Sequence, residues 1–327
     1  MKTPPRIKFA HLPTPVEALP RLTAALGGPK ILVKRDDLTG LAFGGNKTRK
    51  LEYLLAEAQS HGARTIITAG AVQSNHCRQT AAACARLNFD CILVLYGERP
   101  SSATGNLMLD QLFNATIIWT SRQERDQTLD QTFHKAWELG QRPYLIPYGG
   151  SNTTGASAYV FAMKELIDQN YHPDWIVFAS SSGGTQAGLV AGARSFGFKG
   201  KVLGISVDES GADLQATVAT LASATLDTLG EPANFLPQDI LVSASYLGGG
   251  YGVMGAAEIS AIRLFAQQEG LLLDPVYTGR AAAGMIDLIH KGFFKQEETV
   301  LFWHTGGTPA LFSEKYAQLA EPIETPD

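Results

Sequence analysis

The sequence has little cysteine, and what it has is poorly spaced for cross-linking. Its 3 cysteines, Cys77, Cys84 and Cys91, are odd in number and form no Cys-x-x-Cys pair. That spacing argues against a disulfide framework and against a structural zinc, and no metal is expected. Cys77 and Cys84 lie in an Ala-rich stretch and read as small packing residues. An excess of charge of one sign is also missing: 27 basic and 31 acidic residues leave a net charge of -4, with the signs interspersed. No basic stripe invites nucleic acid, and no block of like charge marks a tail. No apolar run is long enough to span a bilayer, and the proline-broken start lacks a signal-like apolar stretch. The expectation is a cytoplasmic protein with a small-molecule partner. Sequence repeats and low-complexity segments are absent too.

What is present fits an ordinary globular α/β chain. At 327 residues, 45% of them hydrophobic and 18% charged, there is material for two lobes. Short β-branched or apolar runs at 31–35, 65–69, 91–96, 116–119 and 144–146 alternate with helix-length segments. The rhythm resumes with runs at 175–179, 202–207, 271–273 and 300–303. Such alternation predicts right-handed βαβ units around parallel sheets. Residues 16–26 and 216–229 read as helices.

The chain is organised around Phe43-Gly44-Gly45-Asn46-Lys47-Thr48-Arg49-Lys50. A buried-looking strand leads through two glycines to a lysine, and Leu51, Leu54, Leu55 and Ala58 then recur at helical spacing. Lys47 thus stands near a strand-to-helix junction, where α/β folds place ligands. A phosphate P-loop starting at Gly40 fails by one position, because Asn46 stands where its lysine belongs. A solvated lysine in a first helical turn is the competing reading of this stretch alone.

Other junctions add polar groups. Gly70-Ala71-Val72-Gln73-Ser74-Asn75-His76 sets four polar side chains at a helix opening, more than an N-cap needs. Ser180-Ser181-Ser182-Gly183-Gly184-Thr185 can turn backbone N–H groups inward at a helix N-terminus, a phosphate nest without a basic side chain. Gly250, Gly252 and Gly255 match a dinucleotide fingerprint with Asp274 as ribose partner, the basis of a rival nicotinamide-dependent oxidoreductase reading. Against it, Asp274 is pinned to Pro275, and a wide glycine loop carrying Tyr251 fits the stretch better. Asp274-Pro275-Val276-Tyr277-Thr278 and His304-Thr305-Gly306-Gly307 each put a hydroxyl at a helix mouth, and His304, ending an apolar run, reads as a packed histidine. An imine-forming lysine, a phosphate nest, an aromatic for stacking and hydroxyls for ring heteroatoms together describe a pyridoxal phosphate site. In that setting Arg49 and Lys50 are expected to lower the proton affinity of Lys47.

With these motifs in order, the chain resembles the 1-aminocyclopropane-1-carboxylate deaminase and D-cysteine desulfhydrase family nearly end to end. The resemblance implies a two-lobed fold of the tryptophan-synthase-β kind (fold type II), with parallel-rich sheets and helices on both faces. A large cofactor lobe of residues 1–49 plus 158–327 would carry a smaller α/β lobe, 50–157, inserted in it. A homodimer is implied too. Lys47 would hold pyridoxal 5'-phosphate covalently, Asn75 would meet its phenolic oxygen, and Ser182, Gly183, Gly184 and Thr185 would cradle its phosphate. Tyr277 would stack on the ring. Ser74, with Asn75, His76 and Tyr251, would face the substrate, and Ser74 would bind its carboxylate or help move its Cα proton.

One departure separates the branches: Thr278 stands where the deaminases carry Glu, and Thr305 where they carry an apolar residue. A hydroxyl at the ring nitrogen leaves the cofactor a weaker electron sink, adequate for β-elimination and poorly suited to opening a cyclopropane. The implied reaction is therefore elimination of D-cysteine to hydrogen sulfide, pyruvate and ammonia. L-Cysteate sulfo-lyase and the deaminase are the alternatives within the family, and a non-catalytic carrier of the cofactor is an alternative outside enzymes.

Overall fold

The computed structural model describes residues 1–320. After the extended N-terminal arm, β1 (Val16–Ala18), α1 (Pro20–Leu26) and β2 (Lys30–Arg35) form in turn. The helix expected over 16–26 thus starts only at Pro20, and its first three residues are strand. Pro20 sits at the first helical position, where its fixed φ and missing N–H cost nothing, and Val16–Ala18 pairs antiparallel with β2 instead.

A small sheet follows. After α2 (Asn46–Ser60) come β3 (Thr65–Ala71), α3 (Asn75–Leu87), β4 (Asp90–Tyr96), α4 (Gly105–Leu112), β5 (Thr116–Thr120), α5 (Arg125–Glu138) and β6 (Pro143–Leu145). Its 4 strands are all parallel, in the order β5-β4-β3-β6. Leu51, Leu54, Leu55 and Ala58 on one face of α2 join Ile66, Leu93, Leu95, Cys77 and Cys84 in its core. The cysteines are packing residues, as their spacing suggested.

The chain then returns through α6 (Thr153–Asp168) to β7 (Trp175–Ser180), α7 (Gly184–Phe196), β8 (Lys201–Ser206), α8 (Gly211–Thr228) and β9 (Leu241–Ser243). It closes with α9 (Ala256–Glu269), α10 (Thr278–His290) and β10 (Thr299–His304). These complete a 6-stranded sheet in the order β1-β2-β10-β7-β8-β9, parallel but for β1. The middle strands are buried along their length, which is why Trp175-Ile176-Val177-Phe178 and Val300-Leu301-Phe302-Trp303 read as unbroken apolar runs. The expected strand at 271–273 does not form. Leu271 and Leu273 are buried and Leu272 is exposed, a strand-like alternation, but β10 is already paired on both sides and the run only packs against the sheet. Among the described residues no helix is long and apolar enough to cross a membrane.

A buried ion-pair network locks the strand ends where the site lies. Asp36, fully buried just after β2, accepts from Arg49 Nη2 at 2.7 Å, Arg49 Nε at 2.9 Å, Tyr159 OH at 2.6 Å, Trp303 Nε1 at 2.8 Å and Thr14 Oγ1 at 2.9 Å. Burial by itself would raise this carboxyl; Arg49, Lys34 and the Tyr159 bond outweigh it and hold it below its ordinary value. Removing one partner strands the others, so Asp36→Ala is expected to cost about 3–5 kcal/mol. Denaturant unfolding checks this, and a midpoint equal to that of the unaltered protein would remove Asp36 as the keystone.

Candidate active site

The site begins with the turn before α2. Gly44 has φ +63°, and a Cβ there would lie 2.0 Å from the Asp37 carbonyl oxygen. Ala42 and Phe43 also adopt positive φ, at 47° and 66°. Such strain persists where the surroundings enforce it, and it concentrates at functional sites. Between β2 and α2 this turn replaces the direct strand-to-helix step that the sequence suggested. Asn46 then closes it: its backbone N–H donates to Thr305 O at 3.0 Å, and Nδ2 donates to Thr185 Oγ1 at 3.1 Å. One residue thereby joins the start of α2 to the end of β10 and the start of α7.

Around this point runs a pocket lined by Asn46, Lys47, Ser74, Asn75, His76, Tyr148, residues 179–185, Tyr277, Thr305 and Gly306. The motifs of the first half and of the second half therefore converge on one cleft at the carboxyl ends of parallel strands from both sheets. Lys47 lies on the first turn of α2, its amine deep in the cleft, and burial lowers its pKa to about 8. Arg49 plays no part in that shift. It is two residues on and faces the opposite side, held by Asp36 and Glu165. Burial, not a cationic neighbour, makes Lys47 a better nucleophile.

Ser74 is the N-cap of α3 and accepts from Cys77 N at 3.2 Å, which leaves its hydroxyl proton for the pocket. His76 is neutral: burial, then Lys47 and Lys50, push its pKa well below the ordinary value. Thr68 Oγ1 donates to Ile146 O at 2.8 Å, so at the 2.9 Å contact with His76 it accepts from Nε2–H. His76 Nδ1 is then an acceptor, buried and without a partner among the described residues. Tyr277 and Tyr251 share a hydrogen bond of 2.6 Å between their hydroxyls, and their rings meet edge to face at 6.0 Å. Burial holds both phenols well above the usual tyrosine range, so both stay protonated. Tyr251 lies beyond the pocket itself, on an outer vestibule with Tyr96, Arg99, Arg122 and Lys315.

The two threonines part company. Thr305 lines the pocket. Thr278 does not: its hydroxyl accepts from Asp274 N and donates to Asp274 Oδ1, each at 2.7 Å, and the side chain is fully buried. Thr278 is therefore a support for Asp274 and has no hydroxyl proton left for a ring nitrogen. Asp274 in turn accepts three backbone N–H groups, from Val276, Tyr277 and Thr278. A carboxylate so committed cannot take a ribose, and the dinucleotide reading falls. His304 is a packed histidine, accepting from Gly306 N at Nδ1, 3.2 Å away, and contacting Leu272 O through Nε2.

The phosphate nest needs one correction. The first turn of α7 has no side-chain cap and no acidic residue, which leaves its N–H groups without a side-chain partner at the pocket that Gly183, Gly184 and Thr185 line. It is not free of basic side chains, however. A Cβ on Gly184 would sit 2.5 Å from Ser151 Oγ and 2.9 Å from Lys50 Nζ. Lys50 is buried, donates to Gly149 O at 3.1 Å, and has its pKa lowered well below the ordinary value, by burial first and by Lys47 second. Ser151 Oγ and Ser182 Oγ are 2.8 Å apart beside it. The sequence marked Lys50 only as a cationic neighbour of Lys47 and Asn46 only as part of its motif, and it did not point to Ser151 or Tyr148. For Lys50 a signal existed, since three residues after Lys47 puts it on the same helix face.

These residues fit pyridoxal 5'-phosphate. An amine of low proton affinity faces an uncapped helix N-terminus across a cleft with a phenol at its side. The lining residues Ser180 and His76 each leave a buried polar atom without a partner among the described residues, as a site built for a polar ligand would. Among those residues no cluster of metal-ligating side chains exists.

A family model described as pyridoxal-phosphate dependent enzyme matches residues 7–306. The D-cysteine desulfhydrase of Klebsiella pneumoniae (strain 342) is 43% identical over 318 residues, covering 94% of this chain and 96% of that protein. The crystal structure of an ACC deaminase homologue superposes with a TM-score of 0.88 at 36% identity, covering 97% of this chain and 96% of that one. A hydrogen sulfide-producing enzyme from Fusobacterium nucleatum superposes with a TM-score of 0.64 at 16% identity over 93% of this chain and 96% of that one, a likeness of fold alone.

Proposed function

The chain belongs to the pyridoxal-phosphate-dependent enzyme family, and from that premise we propose that it eliminates the thiol of D-cysteine, releasing hydrogen sulfide, pyruvate and ammonia. The observation that carries this reading is the absence of any Asp or Glu among the described residues lining the pocket, with Thr305 as the hydroxyl at the end of β10. Bound there, the cofactor supplies a sink for the electron pair left at Cα, and a neutral partner at its ring nitrogen keeps that sink weak enough to suit β-elimination. The likeness to the Klebsiella enzyme supports the same reaction.

The residues divide the work as follows. Lys47 Nζ would hold the cofactor; residues 182–185 would hold its phosphate, with Lys50 behind them; Asn75 would donate to its phenolic oxygen; Thr305 would offer a hydroxyl to its ring nitrogen. Tyr277 would cover the ring, and its hydrogen bond to Tyr251 ties a second phenol to the outer side of the pocket, where it would approach the substrate. Ser74, Asn75 and His76 receive the substrate carboxylate. The Cα proton would pass to the Lys47 amine, whose proton affinity burial lowers, with the Ser74 hydroxyl in the same pocket. We propose further that the two sheets are the cores of two lobes closing on this cleft, and that the enzyme is a cytoplasmic homodimer. The family resemblance carries the lobes and the dimer, and sedimentation of the purified protein tests the assembly.

Offering the holoenzyme D-cysteine, L-cysteate, D-serine and 1-aminocyclopropane-1-carboxylate separates the readings by product. Sulfide from D-cysteine is expected to be fastest. Faster sulfite release would move the assignment to a sulfo-lyase, and 2-oxobutyrate to a deaminase; full cofactor loading without turnover on any of them would make the chain a carrier. Ser74→Ala is expected to keep its visible absorbance and lose about 10²–10⁴-fold in turnover. Undiminished turnover would take Ser74 out of the proton-transfer step.

A further inference from the structure

We propose that Asn106 and Gln73 are positioning residues that fix which end of the Asn75 amide faces the cofactor. The inference rests on the reading above, in which Asn75 meets the phenolic oxygen.

An amide has a donating and an accepting end of nearly equal size, and its neighbours decide which end points where. Here they decide it through a chain that starts at the backbone. Asn106, fully buried at the start of α4, donates through Nδ2 to the Gln73 carbonyl oxygen at 2.9 Å. A backbone carbonyl can only accept, so the NH₂ end of Asn106 must face it. The second hydrogen of that NH₂ group meets Asn75 Oδ1 at 3.0 Å. Asn75 must therefore present its oxygen to Asn106, and its own NH₂ group turns to the opposite side. There Nδ2 lies 2.9 Å from where a Cβ on Gly307 would stand, beside the loop that carries Thr305 and Gly306 into the pocket.

Gln73 closes the device. Its Oε1 accepts from Asn106 N at 2.8 Å and its Nε2 donates to Thr104 O at 2.9 Å. Both partners are backbone groups of fixed role, so the Gln73 amide is as constrained as that of Asn106. The glutamine clamps the first turn of α4 against the loop that leads into α3. Helix α4 thus takes part in the site without touching it, and Gln73, which lines the outer vestibule and not the inner pocket, acquires a reason to precede Ser74 and Asn75. A donor fixed on the phenolic oxygen favours its ionised form; an acceptor in that place, or a donor free to turn away, favours the protonated form.

The test is a pH titration of visible absorbance on the holoenzyme, which reads the protonation of the Lys47-bound chromophore independently of turnover. Asn75→Ala is expected to raise its midpoint by about one pH unit or more. Asn106→Asp, which has no donor for Asn75 Oδ1, is expected to raise it in the same direction. Asn106→Ala, which adds no charge, should do so too, and thereby separates orientation from electrostatics. Gln73→Glu, unable to donate to Thr104 O, should give a smaller shift of the same sign. If Asn75→Ala moves the midpoint while the Asn106 variants leave it unchanged, the positioning role is wrong. If Asn75→Ala itself leaves it unchanged, the assignment of Asn75 fails first, and this inference with it. Should the Asn106 variants not fold, an unshifted Gln73→Glu beside a shifted Asn75→Ala overturns the proposal.

Discussion

Lys47→Ala is expected to give a folded protein that takes on no covalently bound visible chromophore and turns over D-cysteine at least about 10³-fold more slowly. The side chain reaches into the cleft without a hydrogen-bond partner among the described residues, and the helix it belongs to is anchored elsewhere. Thr48 N and Oγ1 each bond Gln79 Oε1 at 2.7 Å, and Asn46 N bonds Thr305 O. Truncation therefore removes chemistry without loosening α2. The pH dependence of cofactor capture by the apoprotein follows from the amine. Its pKa is lowered to about 8 because burial disfavours the charged form. Below that value the neutral, nucleophilic fraction grows about tenfold per pH unit, and above it the fraction levels off. At pH 7 about a tenth of the sites are then neutral, against roughly three in ten thousand for a lysine of ordinary proton affinity. Rapid-mixing absorbance measurements from pH 6 to 10 should show capture rising and then flattening near pH 8. A rate still climbing at pH 10 would mean that Lys47 behaves as an exposed lysine, and a flat profile would mean that another group captures the cofactor.

How much of this was readable in the sequence depended on whether a residue's role is set by its own segment or by a distant one. The parallel strands announced themselves because both faces are covered, and the turn at Gly44 because a Cβ there would collide with the Asp37 carbonyl. The run at 271–273 imitated a strand because burial on one side alternates there too; the missing term was non-local, a sheet whose neighbouring strand positions were already taken. The same distinction separates the two threonines. Thr278 and Thr305 both follow motif residues at helix mouths. Only the fold shows that the first hydroxyl is consumed by Asp274 while the second faces the pocket. Arg49 and Lys50 are a third instance. Adjacent in sequence, they point to different faces of α2, one into the ion-pair network under the sheet and one toward the phosphate nest.

Lys50→Met is expected to weaken cofactor binding by about 10- to 100-fold, the order of one or two charge-assisted hydrogen bonds. The argument turns on what a buried amine does without an anion. Burial and the nearby Lys47 push the proton affinity of Lys50 well below the ordinary lysine range, and its partners are a carbonyl oxygen at 3.1 Å and the Ser151 hydroxyl at 3.4 Å, neither of them charged. A phosphate held by the first turn of α7 would bring negative charge to within a few ångströms, because Gly184 is the residue whose added Cβ would crowd Nζ. That charge raises the proton affinity again, so binding should draw a proton onto Lys50. The sign is fixed: proton uptake at the phosphate end, strongest at pH values where the empty site holds Lys50 neutral and the filled site holds it charged. Calorimetric titration of the apoprotein with pyridoxal 5'-phosphate, in buffers of different ionisation enthalpy, measures the uptake. The unaltered protein should take up more protons than Lys50→Met. Because Met keeps the length and apolar bulk of the lysine stem, a lost affinity cannot be ascribed to a collapsed α2 packing face. Equal affinity and equal uptake in the two proteins would show that peptide N–H groups alone hold the phosphate. A lowered affinity with unchanged uptake would mean that Lys50 stays protonated in the empty site, and its depressed proton affinity would be the step to abandon.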